Sequence, residues 1–300
     1  MRVTDRLIFD SAILNTGRAR EASEQAMQRA ATGSRVDHPS DDPAAAGLMQ
    51  ALGFSASRLE AVSRNAGLAQ TELQAADSAL DQVSNSLARA QQLAVQMSND
   101  TFGARDRASA AAELGQLVST VIAAGNTRFG NRWIFGGNQD GAPPFADGTG
   151  PFPAGTYLGD TAVRRVEIAP GIYQDASVRA DVALRGAGGG ADVIATLQGL
   201  QAALAANDAA AIRASLDPLE RSVGQLSAAR SQVGASMDAF ATATSATKLA
   251  AGETQTRADK LGEVDIAESS IELAAAQRAL QASLSVASQS FQLSLLDYLG

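Results

Sequence analysis

Residues 43–97 read PAAAGLMQALGFSASRLEAVSRNAGLAQTELQAADSALDQVSNSLARAQQLAVQM, and the spacing of their apolar side chains decides the architecture. Leu52, Leu59, Ala66, Leu73, Leu80, Leu87 and Ala94 recur every seven residues. Between them Leu48, Ser55, Val62, Ala69, Ala76, Val83, Ala90 and Met97 occupy the second seam position. This is the a/d register of a coiled coil, held along the whole stretch without a slip. At 1.5 Å per residue such a helix is expected to run roughly 80 Å, and a helix of that length needs a partner along it. Leu219, Leu226, Val233 and Phe240, again seven apart, with Leu216, Val223 and Met237 as companions, predict an antiparallel one.

The fold class that follows is mainly α, with a long antiparallel coiled-coil stalk formed by the N- and C-terminal regions and a small β-rich inserted domain. Five segments are expected: a terminal helix and turn over 1–40, the first half of the stalk over 41–130, the insertion over 131–190, the second half of the stalk over 191–262, and a terminal helix over 263–300. Within the insertion Gly and Pro rise, and 132–135, 163–168 and 178–184 read as β-prone. The glycine run 186–190 reads as a hinge.

The reversal between the first two helices is spelled ATGSRVDHPSDDPAAA over 31–46. Gly33 suits a left-handed helix end, Pro39 prevents helix from continuing, and Asp42 followed by Pro43 suits an N-cap and first helical residue. Arg35 and Asp41 complete the turn. Flanking it, residues 1–40 and 265–300 carry few large apolar groups for their length. Ordering them costs about 1 to 2 kcal/mol per residue in backbone entropy, so they are expected to become helical on assembly, where neighbouring subunits supply surface.

Composition excludes several classes of function. With 32 acidic against 24 basic residues and a net charge of -8, no basic patch is available to neutralise phosphates, so nucleic acid is not an expected partner. No cysteine is present, which removes disulfides and thiolate chemistry. The amino terminus lacks the apolar run of a secretory leader, and no run is long enough to span a membrane. Export, if it occurs, is expected to use a route without a cleaved signal.

Candidate chemistry dissolves on inspection. His38, the single histidine, sits beside Asp37, Asp41 and Asp42, but nothing nearby offers further nitrogen or sulfur for a metal. The paired carboxylates suit a helix start better than an acid/base dyad. The 186–190 glycines lack the Lys and hydroxyl of a phosphate loop, and Trp133 with Phe135 reads as a core anchor. A membrane-surface role for the last helix is disfavoured by its Ser- and Gln-rich polar face. No catalytic, cofactor-binding or metal-binding residue is expected, no cofactor, and no enzyme.

Three of these stretches carry a family resemblance. Residues 31–46 resemble the Ser-Asp-Asp-Pro-Ala turn of the bacterial flagellin superfamily, and LGEVDIAESSIELAAAQRALQASLSVASQSFQLSLLDYL over 261–299 resembles its paired C-terminal helix. NTRFGNRWIFGGNQDGAPPF over 126–145 is most similar to the junction branch of that superfamily, set between flagellar hook and filament. The resemblance implies an extracellular structural adaptor, exported unfolded by the flagellar type III apparatus with an export chaperone. It would self-associate in a ring, with a hook-associated protein and flagellin as neighbours. Its assembly interface would be Leu7 and Leu14 of the first helix with Leu273, Leu280, Leu284, Phe291, Leu295, Tyr298 and Leu299 of the last. Gly33, Arg35, Asp41, Asp42 and Pro43 would form the reversal between helices. The alternatives are a minor or divergent flagellin, which the Leu-Asp-Tyr-Leu-Gly terminus disfavours, and a needle-tip-like coiled coil of type III secretion, which leaves the Asp-Asp-Pro turn unexplained.

Overall fold

The computed structural model describes the backbone of residues 2–139 and 141–299, and the side chains of 10–139 and 141–289. Its helices are α1 (Arg2–Thr32), α2 (Pro43–Met97), α3 (Ala104–Gly125), α4 (Ala180–Ala183), α5 (Val193–Ala205), α6 (Ala209–Ala214), α7 (Leu216–Gly262) and α8 (Ile266–Leu299). Four short strands, β1 (Arg128–Phe129), β2 (Arg132–Trp133), β3 (Arg165–Ala169) and β4 (Ile172–Asp175), pair as two antiparallel hairpins. The chain divides into two units, residues 59–249 and residues 1–58 with 250–300, and α2 and α7 each contribute to both.

In the 59–249 unit α2, α3, α5 and α7 alternate in direction around one core. Arg89 at the end of α2 pairs with Glu113 of α3 at 2.6 Å. Arg107 of α3 meets Asn207 beyond α5 at 2.7 Å. Arg213 of α6, just ahead of α7, bonds Asp100 at 2.8 Å, while Arg230 of α7 pairs with Asp77 at 2.9 Å and Asp81 at 2.7 Å, so α7 descends as α2 rises. From Val62 to Met97 every expected seam residue is buried, as are Leu219, Leu226, Val233 and Phe240. Each fully buried Leu there is worth about 1.5–3 kcal/mol in transfer free energy.

Toward the start of α2 the register departs from expectation. Leu48 and Ser55 are exposed, whereas Ala45 and Ala56 are buried and Met49, Leu52 and Leu59 are half-buried. One seam line therefore steps by one residue between Ala56 and Val62, and Val62 and Ser63 are both buried where the step occurs. An untwisted α-helix drifts against a seven-residue repeat, and the step absorbs that drift.

The stretch 131–190 shares the core of the helices around it. Ile134, Phe135, Phe145, Ala176, Ala180 and Leu184 bury in the same cluster as Leu73, Leu114, Val193 and Leu226. Residues 178–184 are not a strand: α4 forms there. Val178, Ala180, Val182 and Leu184 alternate as in a strand, but Ala180, Ala183 and Leu184, spaced as on one face of a helix, are the fully buried set. The glycine run is not a hinge either. Gly186, Gly188 and Gly189 have positive φ, and Gly190 packs so closely on Gln225 of α7 that a β-carbon would overlap its amide.

Two polar devices hold this region to the helices. Glu72 of α2, buried, accepts from Arg132 of β2 at 2.7 Å and from Arg164, whose guanidinium also reaches the Ala176 carbonyl at 3.1 Å. Asn126 donates to the Phe145 carbonyl at 2.8 Å and accepts from the Phe145 amide at 2.9 Å, a reciprocal amide clasp. Gly125 makes room for the Phe145 ring, which a β-carbon would approach to 2.7 Å. That ring lies 5.2 Å from Tyr157, whose hydroxyl sits 3.0 Å from the Phe135 carbonyl and 2.8 Å from that of Asp160. Burial, with the nearby Asp181 and Asp160 carboxylates, pushes the Tyr157 phenol up to about 12.

Candidate assembly face and the joint behind it

In the other unit α1 and α8 pack together and run antiparallel: Gly33 lies beside Val264, and Arg29 lies 3.9 Å from Glu272 further along. The covered face of α1 is Ala12, Thr16, Ala19, Ser23 and Ala26; that of α8 is Ser269, Leu273, Ala276, Leu280, Ser283 and Ala287. Both follow heptad spacing, but small side chains dominate. Apart from Leu273 and Leu280, the large apolar groups whose side chains are described point away from the pair. Ile13, Leu14 and Met27 of α1 and Ile266, Ile271, Leu284 and Val286 of α8 are exposed, Leu14 at 61% and Ile266 at 77%. An apolar set of this size on the outside of a helix pair is the signature of a surface that another chain covers.

The expected interface residues therefore separate. Leu14 and Leu284 lie on the open face, whereas Leu273 and Leu280 are half-buried in the seam between α1 and α8. The companion line to Leu273 and Leu280 is Ser269, Ala276 and Ser283. The side chains of Leu7, Phe291, Leu295, Tyr298 and Leu299 lie outside the described residues. Sequence reasoning missed Ile13, Met27, Ile271 and Val286 as members of the open face. The signal was present in the small-residue heptad of α1, which marks the inner side and leaves its apolar neighbours outward.

The five turn residues are brought together, and with them a partner that the sequence reading did not include. Gly33 ends α1 at φ +69°, its amide bonded to the Arg29 carbonyl. Ser34 then forms an antiparallel bridge with Glu263, flanked by Arg35 N–H to the Gly262 carbonyl at 2.6 Å and Val264 N–H to the Gly33 carbonyl at 3.0 Å. The Arg35 guanidinium donates to Asp42 at 3.0 Å and to the Leu261 carbonyl at 3.0 Å. Asp42 caps α2 by accepting from the Ala45 amide at 3.0 Å, just ahead of Pro43. Asp41 instead holds the loop, accepting from the amides of His38 at 2.9 Å and Asp37 at 3.2 Å. Those bonds hold the carboxyl of Asp41 below the usual carboxylate range, and the Ala45 amide and then Arg35 do the same for Asp42. His38 is exposed, and no group of three or more metal-ligating side chains gathers among the described residues.

Two long helices that pair near the chain ends, an Asp-Asp-Pro turn, and a helical core with short hairpins between them define a class. The chain belongs to the bacterial flagellin family: the model of the bacterial flagellin N-terminal helical region matches residues 9–140, and that of the C-terminal helical region matches 216–299. Within that family it is similar to the flagellar hook-associated protein 3 of Salmonella typhimurium, 29% identical over 160 residues that cover 52% of this chain and 49% of the relative. A flagellin of Listeria monocytogenes is 38% identical over 101 residues, covering 34% of this chain and 35% of its own length. The matched stretches thus span half or less of these relatives. Among solved structures, flagellar hook-associated protein 3 from Legionella pneumophila superposes with a TM-score of 0.62 at 13% identity, covering 71% of this chain and 98% of that one. That likeness confirms the mainly helical fold with its small two-hairpin β region.

Proposed function

We propose that this protein is a structural adaptor of the bacterial flagellum that joins hook to filament. The observation that carries the reading is the inside-out α1–α8 pair, with small residues between the helices and Ile13, Leu14, Met27, Ile271 and Leu284 outside. Such a pair is poorly stabilised alone and gains by lying against copies of itself and against other flagellar subunits. Likeness to a hook-associated protein supports the junction position, and the 126–145 clasp gives the motif behind it a structural role. Assembly in a ring, export of the unfolded chain with a chaperone, and an extracellular site on the flagellum belong to the same proposal. So does the lack of any catalytic role.

Electron microscopy of a strain lacking the protein tests it directly. Intact hooks without filaments are expected, with filaments restored by the chain supplied in trans. Filaments built from the chain itself would instead mark it as a divergent flagellin, and normal filaments in its absence would refute the adaptor role.

A further inference from the structure

We propose that Met27 is an oxidation site that gates incorporation of the chain: as the thioether it completes the open apolar face, and as the sulfoxide it keeps the chain out of the assembly. Five methionines and no cysteine are the whole of the chain's sulfur, so no thiol competes for an oxidant. The four methionines whose side chains are described differ in shelter. Met97 ends α2 inside the core at 6% exposure, Met49 and Met237 are half-buried, and Met27 stands open at 54%. Met27 is equally reachable while α1 is still unfolded, so the site does not depend on the helix forming first. Only a neighbour lying on the face covers it.

The place of Met27 in α1 gives its oxidation a consequence. Residues 15–32 hold one large apolar side chain, that of Met27; the rest are small, polar or charged. The nearest other member of the face on this helix, Leu14, is about 20 Å away along the axis. Arg29 reaches Glu272 at 3.9 Å, so the exposed Ile271 of α8 sits at the level of Met27, and this end of the face rests on the two of them. Hydrogen peroxide delivers one oxygen to the sulfur: the O–O bond breaks, an S–O bond forms, sulfur gives up two electrons, and the peroxide leaves as water. The product is polar and chiral. Covering its oxygen without a hydrogen-bond donor should weaken association about tenfold or more. Sulfoxide reductases return the thioether, which makes the gate reversible. The proposal rests on the adaptor reading, because the face matters only where subunits cover it.

Two experiments test it. Hydrogen peroxide applied to the purified full chain, with sulfoxides mapped by mass spectrometry, should oxidise Met27 several-fold faster than Met49, Met97 or Met237. In the strain lacking the protein, Met27→Leu should restore filaments. Met27→Gln, which puts a polar amide at the same spot, should leave hooks bare although the chain reaches the medium and its core melts as before. When the chain is induced in that strain under peroxide, filament appearance should fall about tenfold for the native chain and far less for Met27→Leu. Oxidation of Met27 no faster than of Met97, full restoration by Met27→Gln, its retention inside the cell, or an equal loss under peroxide with Met27→Leu would each overturn the gate and leave the adaptor role standing. Failure of the native chain itself to restore filaments would refute the adaptor role and the gate with it.

Discussion

The two helix pairings of this molecule solve opposite problems with the same heptad. Along α2 and α7 in the 59–249 unit, Leu73, Leu80, Leu87, Leu226 and Phe240 point inward and vanish from solvent. Along α1 and α8 small residues dominate the inward line, Ala12, Thr16, Ala19, Ser23 and Ala26 against Ser269, Ala276 and Ser283 with Leu273 and Leu280 half-buried among them, and Ile13, Leu14, Met27, Ile271 and Leu284 face out. Spacing alone cannot tell these apart, because both keep a seam every three and four residues. What differs is volume: one seam is filled by its own large side chains, and the other, built mostly of small ones, leaves large apolar groups exposed. The first is therefore where stability resides, and the second is where association should.

The largest expected effect tests this division head on. Leu73→Asp with Leu80→Asp places two charges where exposure is 2% and 0%, at a cost of about 3 kcal/mol or more each. The helical circular dichroism of the core should lose its cooperative melt. Leu14→Asp with Leu284→Asp should shift the melt by no more than about 0.5 kcal/mol, as at ordinary surface sites, yet abolish self-association in sedimentation. Equal destabilisation by both pairs of changes would erase the contrast.

Glu72→Gln comes next. It leaves Arg132 and Arg164 without their shared buried carboxylate, and breaking a buried pair costs about 3–5 kcal/mol. Urea unfolding should show a lower midpoint, with amides of β2 and β3 losing protection before those of α3. A midpoint unaltered by Glu72→Gln would mean that the hairpins are held by apolar contact alone.

The pH limits of the two units should also lie on opposite sides. Tyr157 in the core has a phenol raised to about 12 by burial. Its contribution is whole below the unfolded value near 10 and is lost as pH rises through the folded one. Alkaline unfolding monitored by phenolate absorbance is expected in that window, and Tyr157→Phe should remove the corresponding slope. The smallest effect belongs to Asp41 and Asp42, whose carboxyls are held low. Their contribution is present above the ordinary carboxylate value of about 3.9 and fades as pH falls through the lowered ones. The amides of His38 and Ala45 should lose exchange protection there while the core amides keep theirs. Loss of the core amides at the same pH would refute a local role for these two carboxyls.

Much of this architecture was legible in residue spacing. Gly33, Asp42 and Pro43 act at the turn as their chemistry requires, Asp192 caps α5 by accepting from Ala195 at 2.9 Å, and the upper seam of α2 is buried residue by residue. What was not legible depended on contacts distant in sequence. The alternation in 178–184 is compatible with either period, and only packing against α7 selects α4. Arg35 looked like one polar turn residue among several until the α7–α8 connector lay beside it. The outward turn of Leu284 could not be read from its own heptad, since the face that α8 hides is chosen by the small residues of α1.

The clasp between Asn126 and Phe145 has a consequence for the order in which the chain folds. Its partners are separated by 19 residues, whereas Arg230 and Asp77 are 153 apart. Closing the shorter loop costs about 2 kcal/mol less entropy, so the 126–145 segment can close before the ends of the long helices have met. Folding can then begin with a local knot of structure near the middle of the chain. The slow step left to it is the long-range docking of α7 onto α2, and a refolding rate reduced both by Asn126→Ala and by Arg230→Ala would place the closed clasp and that docking together at the barrier.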